Sequence, residues 1–342
     1  MPKSTAGKLG CVLIVILVLV ACLVGVAIGP IGGVKIAGLD SDMPEISMAA
    51  EQVILPFDVP FLRTQIPDPE QHGEGGEAHM ITVSTIPNTL PAAWLSMLIL
   101  ILFAFFAFRK PKIIPSGVQN FAETLIQALL GFIESIVGEK NARRFLPLVG
   151  TFFLYILLSN LMGLLPGFGS FLVDGVHKGH ITKVPLLRST NADLNTTLAL
   201  ALISVVATQY FGLRTLRLSY LAKFFNFRKL GEFFGSLIGR RPRPGAMDLV
   251  VNLFVGIADA FVGVLELFSE ISKIISFSFR LFGNIFAGEV LLIVIAFLAA
   301  FIAPLVFMGL ELFVGFVQAL IFSMLSLIFF STAIAHHGDE AH

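Results

Sequence analysis

The 342-residue sequence predicts an all-α, polytopic membrane protein: a helical bundle that ends in a long, strongly tilted helix hairpin. Three observations predict it. Hydrophobic residues make up 56 % of the chain and charged residues 13 %, against the ~25 % charge of a soluble domain. The apolar residues collect in runs that match the roughly 20 residues a bilayer-spanning helix needs. The remaining charges sort by sign between the connecting segments. This pattern excludes a disordered chain, a coiled coil, a disulfide scaffold and an ordinary soluble enzyme, and the runs are too long and continuous for barrel strands. Twenty-three basic residues balance 23 acidic ones. No basic domain is left once the loops are assigned, so nothing points to nucleic acid.

The first run, Cys11 to Ile28, follows Lys3 and Lys8 and contains Leu19-Val20-Ala21-Cys22, which looks like a lipoprotein cleavage box. Residues 1–29 are therefore either a signal-like segment or a retained first helix with its N-terminus inside. Both cysteines lie in this run, which leaves no disulfide framework and no thiolate metal site. Residues 30–90 carry nine acids against only Lys35 and Arg63, so this segment is external. Its Pro, Gly and acid content reads as a partly ordered, solvated stretch. His72 and His79 there are surface histidines without metal-ligand spacing.

The membrane domain occupies 91–342. A span runs from Pro91 to Phe108. Residues 109–144 hold six bases against three acids, which makes them cytoplasmic. Within them, 113–139 alternates Phe121, Leu125, Leu129 and Phe132 with Gln119, Glu123, Gln127 and Glu134. That helical period predicts an amphipathic helix on the cytoplasmic surface or packed against the bundle. Phe145 to Leu165 spans next, 166–192 is external by alternation, and Leu194 to Leu213 returns. Residues 214–243 hold eight bases, among them Arg240, Arg241 and Arg243, against the single acid Glu232. They are cytoplasmic. Leu249 to Phe301 and Leu305 to Ala335 complete the bundle and leave the C-terminal tail, His336 to His342, inside.

Eight ionisable residues interrupt the last two apolar regions: Asp248, Asp259, Glu266, Glu270, Lys273, Arg280, Glu289 and Glu311. A charge at the centre of a bilayer helix costs about 2.5–3.5 kcal/mol even on a lenient scale, so such residues face a protein interior or an aqueous cavity. Asp259, Glu266, Lys273 and Arg280 recur every seven residues, and Glu270 sits between Glu266 and Lys273. On a helix they form one polar stripe, which Asn284 continues. Glu289, nine residues past Arg280, falls on nearly the opposite face at about 100° per residue. Glu311 and Gln318, seven apart, share a face of the last helix. Acids on one side before the arginine and on another after it suit two separate aqueous routes. The bland alternative is an interior ladder in which Lys273 pairs with Glu266 or Glu270. It leaves Arg280 to find its partner in another chain.

Length adds a constraint. As one helix, residues 304–335 run about 48 Å at 1.5 Å per residue, against a hydrocarbon core of roughly 30 Å. The region from Asp248 to Ile302 is longer still and must tilt, break or cross in two segments. A tilted hairpin lying along a curved neighbouring surface satisfies both lengths.

The run Phe277-Ser278-Phe279-Arg280-Leu281-Phe282-Gly283-Asn284-Ile285-Phe286-Ala287-Gly288-Glu289 closely resembles the signature of subunit a of the F-type ATP synthase. Supporting pieces follow in order: Asn160 to Pro166, Asn191-Ala192-Asp193-Leu194-Asn195, Glu266 fourteen residues before the arginine, and Gln318-Ala319-Leu320-Ile321-Phe322. The resemblance covers residues 90–335; the first run and the external segment have no clear counterpart.

It implies a non-catalytic subunit of the bacterial inner (plasma) membrane that packs its hairpin on a ring of c subunits and contacts the b-type stalk, other synthase subunits and lipid. No cofactor or metal is implied. Arg280 matches the arginine that faces the ring, and Asn284 and Gln318 match its polar neighbours. Glu289 matches the acid of the outer half-channel, with Asn191 and Asp193 near its mouth. Glu266, with Glu270 as a further candidate, matches the inner half-channel. Where many relatives carry a histidine facing the Glu289 position, this chain has Glu311, and two nearby carboxylates share a proton. The coupling ion, proton or sodium, depends on the c subunit. A polytopic secondary ion transporter is the competing reading, but it calls for inverted repeats and the polar stripe occurs once. A passive scaffold requires every intramembrane charge to pair within the chain.

Overall fold

In the computed structural model, residues 50–56, 63–67, 80–109, 111–165, 167–177, 180–217, 220, 246–298 and 303–335 are described. The first apolar run with its cysteines, His72, His79, the basic cluster at 240–243 and the polar C-terminal tail lie outside these residues. The chain runs β1 (Gln52–Ile54), β2 (Arg63–Pro67), β3 (Met80–Pro87), α1 (Thr89–Phe108), α2 (Val118–Val137), α3 (Glu139–Gly163), β4 (Leu172–His177), β5 (His180–Pro185), a 3₁₀ turn (Thr190–Ala192), α4 (Leu194–Leu216), α5 (Ala246–Leu298) and α6 (Ala303–Ala335).

All six helices are long and apolar enough to cross a membrane, so the polytopic helical bundle stands. Their starts follow local rules. Pro91 lies in the first turn of α1 and Pro304 in the first turn of α6, where a missing N–H costs no intrahelical bond. Gly138 separates α2 from α3 with φ +76°, a left-handed conformation that a Cβ disfavours. The region expected as one amphipathic stretch, 113–139, thus becomes a discrete helix that stops at a glycine. Among the six, α2 is the least apolar. The long region before Pro304 takes the unbroken option: α5 is a single helix of 53 residues, about 80 Å along its axis.

A five-stranded antiparallel sheet, in the order β2-β3-β1-β4-β5, is an addition to the helical bundle. It is built from parts of both segments read as external loops. Val53 of β1 stands opposite Ile86 of β3 on one side and Gly175 of β4 on the other. Val53, Ile86 and Val184 form its buried core, flanked by Leu55, Leu90, Val173 and Leu186. β3 is rich in β-branched residues (Ile81, Thr82, Val83, Thr85, Ile86), the composition that suits a half-buried pleated surface.

The chain divides into two compact units. The first comprises the sheet, α1, the early part of α2, the later part of α3, the segment through the start of α4, and residues 280–322. Its interior holds Ile156, Leu281 and Ala319, fully shielded, and edge-to-face pairs Phe152–Phe322 at 5.4 Å and Phe153–Phe316 at 5.9 Å. The second comprises 130–149, 198–279 and 323 onward. Phe145, Phe211 and Phe330 meet there, with ring centroids 5.0–5.6 Å apart. The Arg144 guanidinium lies over Phe211 at 5.1 Å, and the Ser204 and Ser326 hydroxyls share a buried 2.7 Å hydrogen bond.

Gly138→Ala is expected to destabilise the protein by about 1–2 kcal/mol, the cost of a left-handed L-residue. A lowered midpoint of heat unfolding in detergent micelles checks it.

Candidate functional site

Seven of the nine residues singled out in the sequence lie in the first unit: Arg280, Asn284, Glu289, Glu311, Gln318, Asn191 and Asp193. Glu266 and Glu270 belong to the second.

Arg280 is exposed on α5, and among the described residues none pairs with it. One turn later the exposed Asn284 donates Nδ2–H to Oε1 of Gln318 on α6 at 2.8 Å. Gln318 is itself buried, and its Nε2 has no acceptor among the described residues. The expected polar neighbours of the arginine are thus joined to each other across the two helices. Along α5 on either side of it, exposed side chains include Ile275, Phe279 and Leu291. A lone guanidinium is therefore carried on a helix whose exposed positions are largely apolar.

Glu289, nine residues further on, turns to a partner that the sequence analysis did not single out. Arg188, between β5 and α4, grips it with Nε 3.2 Å from Oε1 and Nη2 3.0 Å from Oε2. The arginine side chain is 11 % exposed and the glutamate 31 %. Glu311 does not join this pair. Its carboxyl lies against Gly288, where a Cβ would overlap it, and it makes no ion pair or hydrogen bond among the described residues. Only a glycine leaves room for that approach. The spacing of Arg188 from Glu289, 101 residues, carries no sequence signal.

Asn191 and Asp193 serve the architecture of the segment that enters α4. Asn191 is fully buried and donates to Oδ1 of Asn160 at 2.7 Å, and Asn160 donates to the Gly315 carbonyl at 3.0 Å. The 160 position therefore links the 3₁₀ turn to α6. Oδ1 of Asn191 is buried without a partner among the described residues. Asp193 caps α4, accepting the Asn195 N–H on Oδ1 at 3.0 Å, while its Oδ2 accepts the Thr89 hydroxyl at 3.0 Å. A carboxylate at a helix N-terminus also meets the positive end of the helix dipole.

In the second unit, Glu270 is buried and receives Lys273 at 2.8 Å, and the same ammonium lies 4.9 Å from the centre of the Phe329 ring. The interior ladder is realised at this step. Glu266, one turn earlier, is half-buried. Among the described residues no group of three His, Cys, Asp or Glu could hold a metal ion.

The family model described as ATP synthase A chain matches residues 90–331, which include all nine residues singled out in the sequence. The chain belongs to that family. It is 34 % identical over 244 residues to the ATP synthase subunit a of Syntrophobacter fumaroxidans, covering 71 % of this chain and 82 % of that one. Over 253 residues it is 34 % identical to the subunit a of Gloeobacter violaceus, covering 74 % and 86 %. Over 271 residues it is 32 % identical to that of Desulforamulus reducens, covering 77 % and 85 %. As a member of the ATP synthase A chain family, it is a non-catalytic, multi-pass membrane subunit of the F-type synthase, of the bacterial inner-membrane kind.

Asp193→Ala removes a helix cap and strands the Thr89 hydroxyl, with an expected cost of about 1–3 kcal/mol. Thr89→Val alone costs less, and in the double variant the two losses fall short of their sum. Thermal unfolding of the four proteins in detergent checks this cycle.

Proposed function

We propose that this chain forms the two ion half-channels beside the rotating c-ring and couples proton or sodium flow to ATP synthesis. The observation that carries the proposal is Arg280: exposed, on an apolar helix, and with no counter-ion among the described residues. A guanidinium cannot lose its proton in a protein, so it can escape the cost of facing hydrocarbon only by meeting a carboxylate from another chain. The carboxylate of a c subunit supplies it. The ion enters by the outer route past Glu289 and Glu311 and neutralises that carboxylate. The ring then carries the neutral site through lipid, where a charged one is expensive. The ion leaves by the inner route near Glu266 and Glu270. Arg280 holds the ionised carboxylate between the routes and blocks direct leakage, with Asn284 and Gln318 beside it. Asn191 and Asp193 shape the outer mouth. A potential of 100 mV supplies about 2.3 kcal/mol per charge moved.

The sheet supports a topology. β1 and β3 precede α1, β4 follows α3, and these strands pair, so the start of α1 and the end of α3 lie on one side. An even number of crossings joins them. Of the three helices between, α2 is the least apolar, which supports reading it as the membrane-surface helix. With acidic 30–90 external, 1–29 forms the N-terminal helix or signal-like segment, 91–342 the membrane domain, and the C-terminus is cytoplasmic. The 53 residues of α5 and 33 of α6 exceed a bilayer's thickness, which a strongly tilted hairpin against the ring accommodates. The b-type stalk, other synthase subunits and lipid are its remaining neighbours.

In vesicles reconstituted with the whole complex, Arg280→Ala is expected to abolish ATP-driven ion pumping, a loss of about a hundredfold or more. Intact coupled pumping overturns the assignment. Glu289→Gln combined with Glu311→Gln is expected to stop flux as well, and unchanged flux removes the outer route.

A further inference from the structure

We propose that the start of α3 and the end of α4 bind the headgroup of an anionic phospholipid, with Arg144 and Arg214 on its phosphate and the acyl chains along the exposed face of α4. The inference goes beyond the half-channel reading and does not rest on it.

Both helix ends belong to the second unit. Arg144, in the second turn of α3, donates Nη1–H to the Thr215 hydroxyl at 3.2 Å, and its guanidinium lies 5.1 Å from the centre of the Phe211 ring. Arg214, next to Thr215, donates to the Tyr210 hydroxyl at 3.2 Å, and the Tyr210 and Phe211 rings meet edge-to-face at 5.7 Å. The two guanidiniums thus converge on one end of α4 over a shared aromatic pair. Phe211 is buried against Phe145 and Phe330, so this floor is fixed before any ligand arrives. A hydroxyl or a ring face does not neutralise an arginine, and among the described residues neither guanidinium meets a carboxylate. Glu139, the acid that opens α3, is taken by Arg143 at 3.1 Å. Just past α4, Arg217 is exposed and left-handed, φ +54°, where helices usually end on glycine. A cation kept there against backbone strain indicates a use for its charge.

The face of α4 that leads to this end carries Ile203, Val206, Tyr210 and Leu213, all exposed and spaced three and four apart. From Ile203 to Arg214 it passes from hydrocarbon through an amphipathic ring to a cation. That is the order of acyl chain, interface and phosphate in a phospholipid. A soluble anion would satisfy the arginines and leave the apolar stripe uncovered. A zwitterionic headgroup brings its own ammonium, so an anionic one gains more from unneutralised guanidiniums. The planar guanidinium fork also matches phosphate oxygens in pairs. On the topology proposed above, the lipid belongs to the cytoplasmic leaflet.

The test uses the whole complex in detergent, freed of bound lipid and titrated with spin-labelled phosphatidylglycerol, with spin-labelled phosphatidylcholine as the reference. Assembly is verified by co-purification of the c-ring and the stalk. The parent is expected to show a saturable, motion-restricted step for the anionic lipid that the zwitterionic one lacks. Arg144→Gln or Arg214→Gln weakens that step about fivefold, and the two together about twentyfold or more. Arg144→Lys with Arg214→Lys keeps the charge and loses less than the glutamine pair. Arg143→Gln, which removes an arginine already paired with Glu139, changes the step less than about twofold. Arg217→Gly weakens it about fivefold while raising the unfolding temperature, opposed shifts that a purely structural arginine would not give. Added inorganic phosphate leaves the lipid in place. If the step is unchanged in Arg144→Gln with Arg214→Gln, or is equally strong for phosphatidylcholine, the inference falls. Displacement of the lipid by inorganic phosphate makes this a site for a soluble anion and overturns it too. Loss of another synthase subunit from that double variant, with lipid binding intact, assigns the arginines to a protein carboxylate and overturns it as well. None of these outcomes touches the half-channel reading, which stands or falls on Arg280→Ala in vesicles.

Discussion

The constraint on which the rest of this structure depends is the cost of a charge in a hydrocarbon slab. Each ionisable group there must be paired, hydrogen-bonded or turned toward something that will pair it. The chain meets this demand locally almost everywhere. Lys273 goes to Glu270 and covers the Phe329 ring, and Arg188 goes to Glu289. Asp193 is spent on a helix cap and the Thr89 hydroxyl. Against that background Arg280 stands out by contrast of environment rather than by residue type. Arg188 and Arg280 carry the same guanidinium, yet one is held against a carboxylate and the other is exposed with no counter-ion among the described residues. That contrast makes the exposed one informative.

The same economy explains why a membrane subunit carries a β-sheet. β1 and β3 lie before the first helix and β4 and β5 after the third, so the pairing of β1 with β4 closes a loop of chain through three helices. The sheet core, Val53, Ile86 and Val184, is continuous with Leu90 in the first turn of α1 and Leu186 just beyond β5. Asn88 extends that tie by donating to the Pro185 carbonyl at 3.2 Å. The segment that carries Arg188 is thereby anchored at both ends, by β5 on one side and by the Asn191 and Asp193 contacts on the other. An arginine on a loose loop would lose most of the entropy advantage of a preformed fork. Here the sheet and the cap hold its backbone beforehand.

Much of this was legible in the sequence because hydrophobic length and charge sign are local properties. The spans near 91–108, 145–165, 194–213 and 305–335 needed only composition, and the facing of Arg280 against Glu289 needed only the helical period. What was not legible depends on long-range pairing. The strands at 52–54 and 172–177 are short, embedded in polar sequence, and stabilised by partners more than a hundred residues away. Arg188 lies in the loop read as external by alternation alone, and no spacing rule links it to a glutamate 101 residues on. Gly288 is part of the family motif; that it makes room for Glu311, on another helix, is visible only once α5 and α6 are side by side.

Opposite faces of α5 serve two ends. Glu289 and Arg280 are nine residues apart, about half a turn in phase, so a carboxylate locked to the protein interior and a guanidinium exposed outward can ride on one rigid element. Neither requires the helix to move. The Asn284–Gln318 bond beside the arginine and the Gly288–Glu311 approach further along both tie α5 to α6, which keeps the register of the two helices constant across the unit. Sliding α6 by one residue would break the amide bond and drive Glu311 out of its notch together. Whatever fixes the polar residues next to Arg280 therefore also fixes the Glu311 carboxyl. Displacement of α6 along α5 is thus opposed at two points of the unit at once, by the Asn284–Gln318 hydrogen bond and by the fit of Glu311 at Gly288.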